Sequence, residues 1–369
     1  MPTGEASLIM AQNTTPAAVQ LHHHTAAPVE FDNRIYKYEG RAVLKRVFLY
    51  LSIIVRHLTW KKIVNFVNIE LDYFLTRPVC KGKPWSAKIE PTNICNLQCT
   101  YCPREDTPYQ LGIMSLERFQ QLIDDIKDHT FIIALHLWGE PLLHKRLPEM
   151  IRYAVDSGIG TYISSNFNRL TEEQAREIVE SKLDLLTVCV DGSDQDTYEV
   201  FRKGGKLSKV LENIETFIRI RNEMKSASPY VELQFLVTPK TEHEVERVKA
   251  LAERLGVDTF KAKPVYPIMV ERKGEYFLPE GEEFYPIKRR AKRKTCWWLW
   301  RTITIGWEGS VLPCCRVMFA SSMGNVFRTS LSEVWNNQQY QGLRRTFVKG
   351  AEGKKPCDVC HVPYTSMHG

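Results

Sequence analysis

The chain has 369 residues, of which 43% are apolar and 25% charged, with a formal net charge of +7. That length and apolar content allow two or more domains with hydrophobic cores and exclude a chain disordered throughout. The charge excess is mild and sits largely in residues 288–294, where six of seven side chains are Lys or Arg; such a run reads as a solvated linker between domains before it reads as a nucleic-acid surface.

In chain order, residues 1–30 are rich in Ala, Thr, Pro and Gln and are expected to be disordered. His22, His23 and His24 are too short a run for a metal site. Residues 31–83 form an amphipathic helical region, strongly apolar over 41–77 with basic punctuation. The most apolar stretch, 47–55, has only Ser52 as a polar residue and is too short to span a bilayer. Arg41, Lys45, Arg46, Arg56, Lys61 and Lys62 flank it. Two amphipathic helices are expected, over 41–58 and 61–75. They either pack on the rest of the protein, the favoured reading, or lie on an anionic membrane surface as a peripheral contact.

From residue 84 to 267 the pattern changes. A strand over 86–90 runs into Cys95, Cys99 and Cys102, spaced C-x3-C-x2-C with Tyr101 before the last cysteine. A helix follows over 114–128, begun by Ser115, with Arg118 where a capping box would place an acid. Strands are then expected over 131–138, 160–166, 183–190, 230–237 and 258–265. Helices are expected over 145–157, 171–181, 206–225 and 242–255, the second capped by Thr171 with Gln174 in the box position. Strands alternating with helices of this length make a parallel sheet with crossover helices, closed as a partial barrel or left open. Binding sites in such sheets lie at the carboxyl ends of the strands. Those ends carry the three cysteines, then Gly139, Glu140 and Pro141, then Ser164, Ser165 and Asn166, then Asp191 and Gly192. Each segment alone reads as a turn; their shared position gathers them at one mouth.

Three cysteines this close can grip three corners of an iron–sulfur cluster. Clusters normally take four cysteines, so one iron would stay open to bind a small molecule. The alternatives are a zinc site or buried thiols. A structural zinc wants four closed ligands, and no His or Cys follows within the next twenty-odd residues; His129 and His136 fall on an expected helix end and strand. A disulfide is disfavoured by the odd number and by the lack of a secretory signal, and free thiolates suit a reducing, cytoplasmic setting.

With Cys95, Cys99, Tyr101, Cys102 and Gly139-Glu140-Pro141 in place, residues 86–266 resemble a radical S-adenosylmethionine (radical SAM) enzyme. The resemblance implies a partial (β/α)6 barrel. It implies a [4Fe–4S] cluster on Cys95, Cys99 and Cys102 whose open iron is chelated by the methionine part of S-adenosylmethionine (SAM). Gly139, Glu140 and Pro141 would serve the methionine amino group, Ser165, Asn166 and Asp191 the ribose and carboxylate, and Tyr101 the adenine. It implies reductive cleavage of SAM to a 5′-deoxyadenosyl radical that takes hydrogen from a substrate C–H bond, with an electron donor such as ferredoxin or flavodoxin and a small-molecule or peptide substrate. One departure is Val237-Thr238-Pro239-Lys240-Thr241, which lacks the Asn often found after the fifth strand.

After the basic linker over 268–294, residues 295–369 carry Cys296, Cys314, Cys315, Cys357 and Cys360, with Gly309 five before Cys314. This layout, with Gly324-Asn325-Val326 and residues 330–335, resembles the auxiliary-cluster region called SPASM, or its shorter relative twitch. One second [4Fe–4S] cluster fits, on Cys296, Cys314, Cys357 and Cys360, with Cys315 beside it; a zinc site on the same four thiolates is the alternative. Cys189, in an apolar strand, is expected to be a buried small hydrophobe. A non-catalytic iron–sulfur or zinc protein binding nucleic acid through 288–294 is the competing function.

Overall fold

The computed structural model describes residues 40–100, 102, 104, 110–238, 241–264, 295–315 and 322–349. The expectations for residues 1–30, Tyr101, the linker 268–294, Cys357 and Cys360 lie outside these.

One sheet organises the protein. Its strands are β1 (Ser86–Ile89), β2 (Ile132–Ala134), β3 (Gly160–Ser165), β4 (Leu185–Cys189), β5 (Tyr230–Val237), β6 (Thr259–Pro264), β7 (Thr302–Ile305) and β8 (Val311–Leu312). The spatial order is β6-β5-β4-β3-β2-β1-β7-β8. Strands β1 to β6 pair in parallel in sequence order, each step crossing over through helix. That is the expected six-unit α/β core. β1, β2 and β4 are buried at every position, as strands covered on both faces must be.

The helices form where the apolar period and the caps agree. In α3 (Leu116–Ile126), Leu116, Phe119, Leu122, Ile123 and Ile126 are buried, and the Ser115 hydroxyl accepts from the Arg118 backbone N–H. The missing acid at Arg118 costs only the reciprocal half of the box. In α5 (Glu172–Glu180) Thr171 accepts from the Gln174 N–H. α4 (Leu147–Asp156), α7 (Leu207–Glu223) and α8 (Val245–Arg254) complete the crossovers. The expected strand over 131–138 is shorter than its apolar run, because the chain leaves the sheet after Leu135. An unanticipated helix, α6 (Gln195–Phe201), follows β4, capped by Asp194.

Two helices precede the sheet, α1 (Gly40–Arg56) and α2 (Trp60–Phe74). They lie against the amino ends of the strands. Arg46 pairs with Glu232 in β5 at 2.6 Å, and Arg56 with Asp184 just before β4 at 2.7 Å. Lys62 donates to the Gly158 carbonyl at 2.6 Å.

The C-terminal residues are continuous with the core. β7 pairs in parallel with β1, Ser86 opposite Thr302 through Ile89 opposite Ile305, and β8 turns back antiparallel. The turn between them needs Gly309, which sits at φ +87°; a Cβ there would also meet the Phe327 ring at 2.3 Å. α9 (Trp297–Arg301), α10 (Leu331–Trp335) and α11 (Gln338–Val348) pack beside these strands. Arg344 is fully buried, donates to the Leu299 and Pro78 carbonyls and stacks over Trp335. Trp335 in turn donates to the Gly82 carbonyl.

Candidate active site

The carboxyl ends of β1 to β4 surround a cavity of ≈ 180 Å³. Cys95, Cys99 and Cys102 line it together with Gly139, Glu140, Ser165 and Asn166. The sequence placed these residues on three separate strand ends; the fold brings them to one wall. Among the described residues, no three His, Cys, Asp or Glu side chains are placed to hold a single metal ion. The thiols instead ring a space, which suits a polyatomic group.

The loops are pinned to each other by backbone. Glu140 N–H donates to the Ile94 carbonyl at 2.8 Å, joining the Gly139-Glu140 turn to the cysteine loop. Gly139 is required by this approach, since a Cβ would stand 2.0 Å from the Thr92 carbonyl oxygen. On the other side, the Gln98 N–H donates to the Lys203 carbonyl and the Thr100 N–H to the Phe201 carbonyl, tying the cysteine loop to the end of α6.

Glu140 is buried and caps a single 3-10 turn, Pro141–Leu143. Its carboxylate accepts from the Leu142 N–H at 3.0 Å, the Ser165 hydroxyl at 2.7 Å and the Asn166 N–H at 2.7 Å. Burial pushes its pKa up, against the pull of those three donors. A carboxylate has about four acceptor positions, so room for one further donor remains. Asn166 in turn reaches Cys95 Sγ at 3.8 Å and the Asn96 side chain at 3.0 Å.

Asp191 does not line the cavity. It is fully buried, accepts from the Leu236 N–H at 2.9 Å and pairs with Arg202 at 2.5 Å. Arg202 lines the cavity and aims Nη1 at Cys99 Sγ, 3.7 Å away. The sequence singled out Asp191; the residue that reaches the cavity is its partner. Cys189 is buried as expected, but it is also a wall of the cavity, 3.4 Å from the Ser164 hydroxyl.

As free thiols the three cysteines are held protonated. Burial pushes Cys95 up to about 11 and raises Cys99 and Cys102, with Arg202 pulling Cys99 back down. A cationic and an amide donor aimed at the sulfurs is the environment that thiolates and cluster sulfides need, because hydrogen bonds to sulfur stabilise their negative charge.

A second cavity of ≈ 450 Å³ adjoins the first and shares Leu137 and Trp138 with it. Glu90, Asn93 and Arg104 line one side; Trp307, Glu308 and Ser310, from the β7–β8 turn, line the other. Glu90 accepts from the Trp138 N–H at 3.0 Å. Its pKa is pushed up to about 7, by burial first and by nearby Glu308 in addition. None of these residues carried a signal in the sequence beyond the end of a strand or a turn.

Of the C-terminal cysteines, Cys296 and Cys314 are half-buried, as is Cys315. Cys296 stands at the start of α9 and Cys314 just after β8. Their two expected partners lie outside the described residues.

Comparison with known proteins decides the lineage. The sequence model of the Radical SAM superfamily matches residues 89–252, and that of SPASM, an iron–sulfur cluster-binding domain, matches residues 296–361. Residues 89–252 belong to the Radical SAM superfamily, and residues 296–361 form a SPASM domain. As a radical SAM enzyme with a SPASM domain the chain uses [4Fe–4S] clusters and SAM, and the competing non-catalytic nucleic-acid reading is not favoured. One relative is the tungsten-containing aldehyde ferredoxin oxidoreductase cofactor-modifying protein of Pyrococcus furiosus, 24% identical over 292 residues, covering 69% of this chain and 82% of that one. Another is the antilisterial bacteriocin subtilosin biosynthesis protein AlbA of Bacillus subtilis, 22% identical, covering 69% of this chain and 60% of that one. Among solved structures, Streptococcus suis SuiB bound to S-adenosylmethionine shares the fold, with a TM-score of 0.56 at 14% identity over 71% of this chain and 68% of that one.

Proposed function

We infer that this radical SAM enzyme abstracts hydrogen from an unactivated C–H bond of a peptide or small molecule held in the second cavity. The observation that carries the reading is the ring of Cys95, Cys99 and Cys102 around a cavity that Glu140, Ser165 and Asn166 also line. A cluster on the three cysteines, reduced by a donor such as ferredoxin or flavodoxin, together with SAM supplies a 5′-deoxyadenosyl radical.

The chain's own part is placement and protection. Cys95, Cys99 and Cys102 hold three corners of the cluster, and Asn166 and Arg202 orient and neutralise their sulfurs. Gly139 lets the turn that carries Glu140 close on Thr92 beside the cysteine loop. Glu140 fixes Ser165 and Asn166 and keeps one acceptor position for the methionine amino group; Ser165 and Asn166 face the rest of SAM. Leu137 and Trp138 line both cavities where these adjoin, and their apolar surface would keep water from a reactive intermediate. The names of the relatives support both substrate classes, since one modifies a cofactor and the other takes part in making a bacteriocin. Trp307 and Glu308, which line the second cavity, lie within the span matched to the SPASM domain.

The test is anaerobic reconstitution and reduction, followed by measurement of iron and of 5′-deoxyadenosine. Two clusters give about eight iron per chain. Replacing Cys95, Cys99 and Cys102 with Ala should leave about half of that and abolish 5′-deoxyadenosine. Zinc at the first site, or unchanged 5′-deoxyadenosine in the triple variant, would overturn the assignment.

A further inference from the structure

α1 and α2 depart from ordinary surface helices in carrying a second, outward apolar face. A surface helix turns its apolar stripe to the core and its charges to water. Here several charged and polar side chains point inward beside a narrow apolar seam of Tyr50, Ile53 and Ile69. Arg46, Arg56 and Lys62 bind Glu232, Asp184 and the Gly158 carbonyl. Asn65 bonds both the backbone N–H and the carbonyl of Lys83. Glu70 pairs with Arg301 and accepts from the Trp85 indole. Asp72 accepts from the Lys81 and Gly82 N–H groups.

The apolar side chains point outward in two continuous stripes. On α1 they are Leu44, Val47, Phe48, Leu51 and Val55; on α2 they are Trp60, Val64, Val67, Leu71 and Phe74. The spacing of three and four makes each set one helix face. Exposure is high where it matters: Phe48 66%, Val55 68%, Trp60 76% and Phe74 71%. Among the described residues, every exposed large hydrophobic side chain other than Leu111, Ile113 and Val200 lies between Leu44 and Val79. A patch of this extent on one face marks an interaction site.

Its charge decides the partner. The only acids between Leu44 and Leu75 are Glu70 and Asp72, and both are turned inward onto the partners named above. The cations on the outer side are Lys45, with Arg56 and Lys61, whose side chains stay 51% and 71% exposed while paired with Asp184 and Asp128. We propose that this face docks on the surface of an anionic lipid bilayer, with α1 and α2 lying in the interface plane. The apolar stripes would enter the headgroup–acyl boundary, and the cations would meet lipid phosphates and carboxylates. Among the described residues no helix is long and apolar enough to cross a membrane, which agrees with lying on the surface. A second copy of the chain would set like charges against like and is disfavoured for that reason. The face covers the amino ends of the strands, so the cysteine mouth opens on the side away from the bilayer. The proposal does not depend on the reaction assigned above.

Flotation of the full chain with lipid vesicles tests it. The chain should float with phosphatidylcholine–phosphatidylserine vesicles, float less with phosphatidylcholine alone, and detach as salt rises, since each cation near the surface contributes roughly fivefold. Phe48→Asp with Val55→Asp should weaken binding by at least about tenfold, with thermal midpoint and iron content unchanged because both side chains face outward. Failure of the parent chain to bind anionic vesicles would overturn the proposal. So would equal binding by the double variant. A concentration-dependent dimer that the double variant dissociates would also overturn it, in favour of a second copy on this face.

Discussion

At the carboxyl ends of β1 to β4, polar and thiol side chains turn inward on a cavity, and the loops that carry them are locked by main-chain bonds. At the amino ends of the same strands, charged side chains turn inward on α1 and α2. Both ends bury ions. At the carboxyl end the Asp191–Arg202 pair presents one of its members to the cavity. At the amino end, Arg46–Glu232 and Arg56–Asp184 are spent on holding the helices to the sheet. The difference teaches how to separate chemistry from architecture here: a buried ion pair that presents one member to a cysteine-lined cavity serves a ligand there, and one that only joins two elements serves the fold.

The sharpest way to break that distinction is at Arg202. Arg202→Ala leaves Asp191 buried without its partner, which should cost about 3–5 kcal/mol. Arg202→Lys should recover part of the stability yet not the bond to Cys99, because an ammonium has all its donors on one nitrogen and cannot span Asp191 and Cys99 as Nε and Nη1 of the guanidinium do. Thermal melts and iron content together decide it. Full iron content and a native cluster spectrum in Arg202→Ala would make the pair architectural, like those at the other end.

Next in size is Glu140. Its loss removes the acceptor for Ser165, Leu142 and Asn166. Glu140→Ala should weaken SAM binding by about tenfold or more, equivalent to ~1.5–3 kcal/mol for hydrogen bonds to a charged group, while the cysteines keep their cluster. Calorimetric titration with SAM on reconstituted protein measures this. Unchanged affinity in a folded variant would reduce Gly139-Glu140-Pro141 to a turn. Gly139→Ala should act through the backbone instead, pushing the turn off Thr92 at a cost of about 1–3 kcal/mol and lowering cluster content and SAM affinity together.

Much of the carboxyl end was legible in the sequence, and the reason is local. C-x3-C-x2-C and Gly-Glu-Pro are contiguous segments, and strand–helix alternation says that segments after successive strands share one mouth. Arg202 was not legible, because its bonds to Asp191 and Cys99 reach 11 and 103 positions back along the chain, and the seven-residue helix that delivers it is too short to show a period. Asp191 was singled out correctly as a strand-end carboxylate, but a strand end does not say whether a side chain faces the cavity or an arginine behind it. Glu90 and Glu308 meet only because β7 joins the sheet beside β1, and the boundary drawn near residue 295 gave no hint that the sheet continues past it. At the amino end, periodicity placed both helices within two residues of their ends, yet it could not say which stripe faces in. Apolar and polar stripes have the same period, and the inward choice is made by Glu232, Asp184 and the Gly158 carbonyl, which lie far away in sequence.

The smallest effect uses pH to set the two ends against each other. His57 and His129 are buried at the amino end, each with an unpartnered Nε2. Burial, then the charge of Lys62, holds His57 down to about 4; burial, then Lys83, holds His129 down to about 3. The unfolded chain protonates both near 6.5, so it binds more protons than the folded protein below that pH. Their contribution to stability is full above about 6.5 and is lost as pH falls toward the folded values. Glu90, at the carboxyl end, has the opposite sign. Its folded value of about 7 exceeds its ordinary value of 4.5, so the folded protein binds the extra proton, and stability rises as pH falls from 7 toward 4.5. In the parent chain the two slopes oppose. His57→Gln with His129→Gln should leave the carboxylate slope, and the thermal midpoint should rise by a few degrees between about pH 7 and about pH 5 relative to the parent. Glu90→Gln should leave the histidine slope, and the midpoint should fall over the same range relative to the parent. Each variant is read as a difference from the parent, which cancels groups common to both, including Glu140 and Asp184, whose raised values act in the direction of Glu90. Parallel midpoint curves for all three proteins would mean that neither end titrates on unfolding in this range, and the assignment of opposite protonation states to the two ends of the sheet would fail.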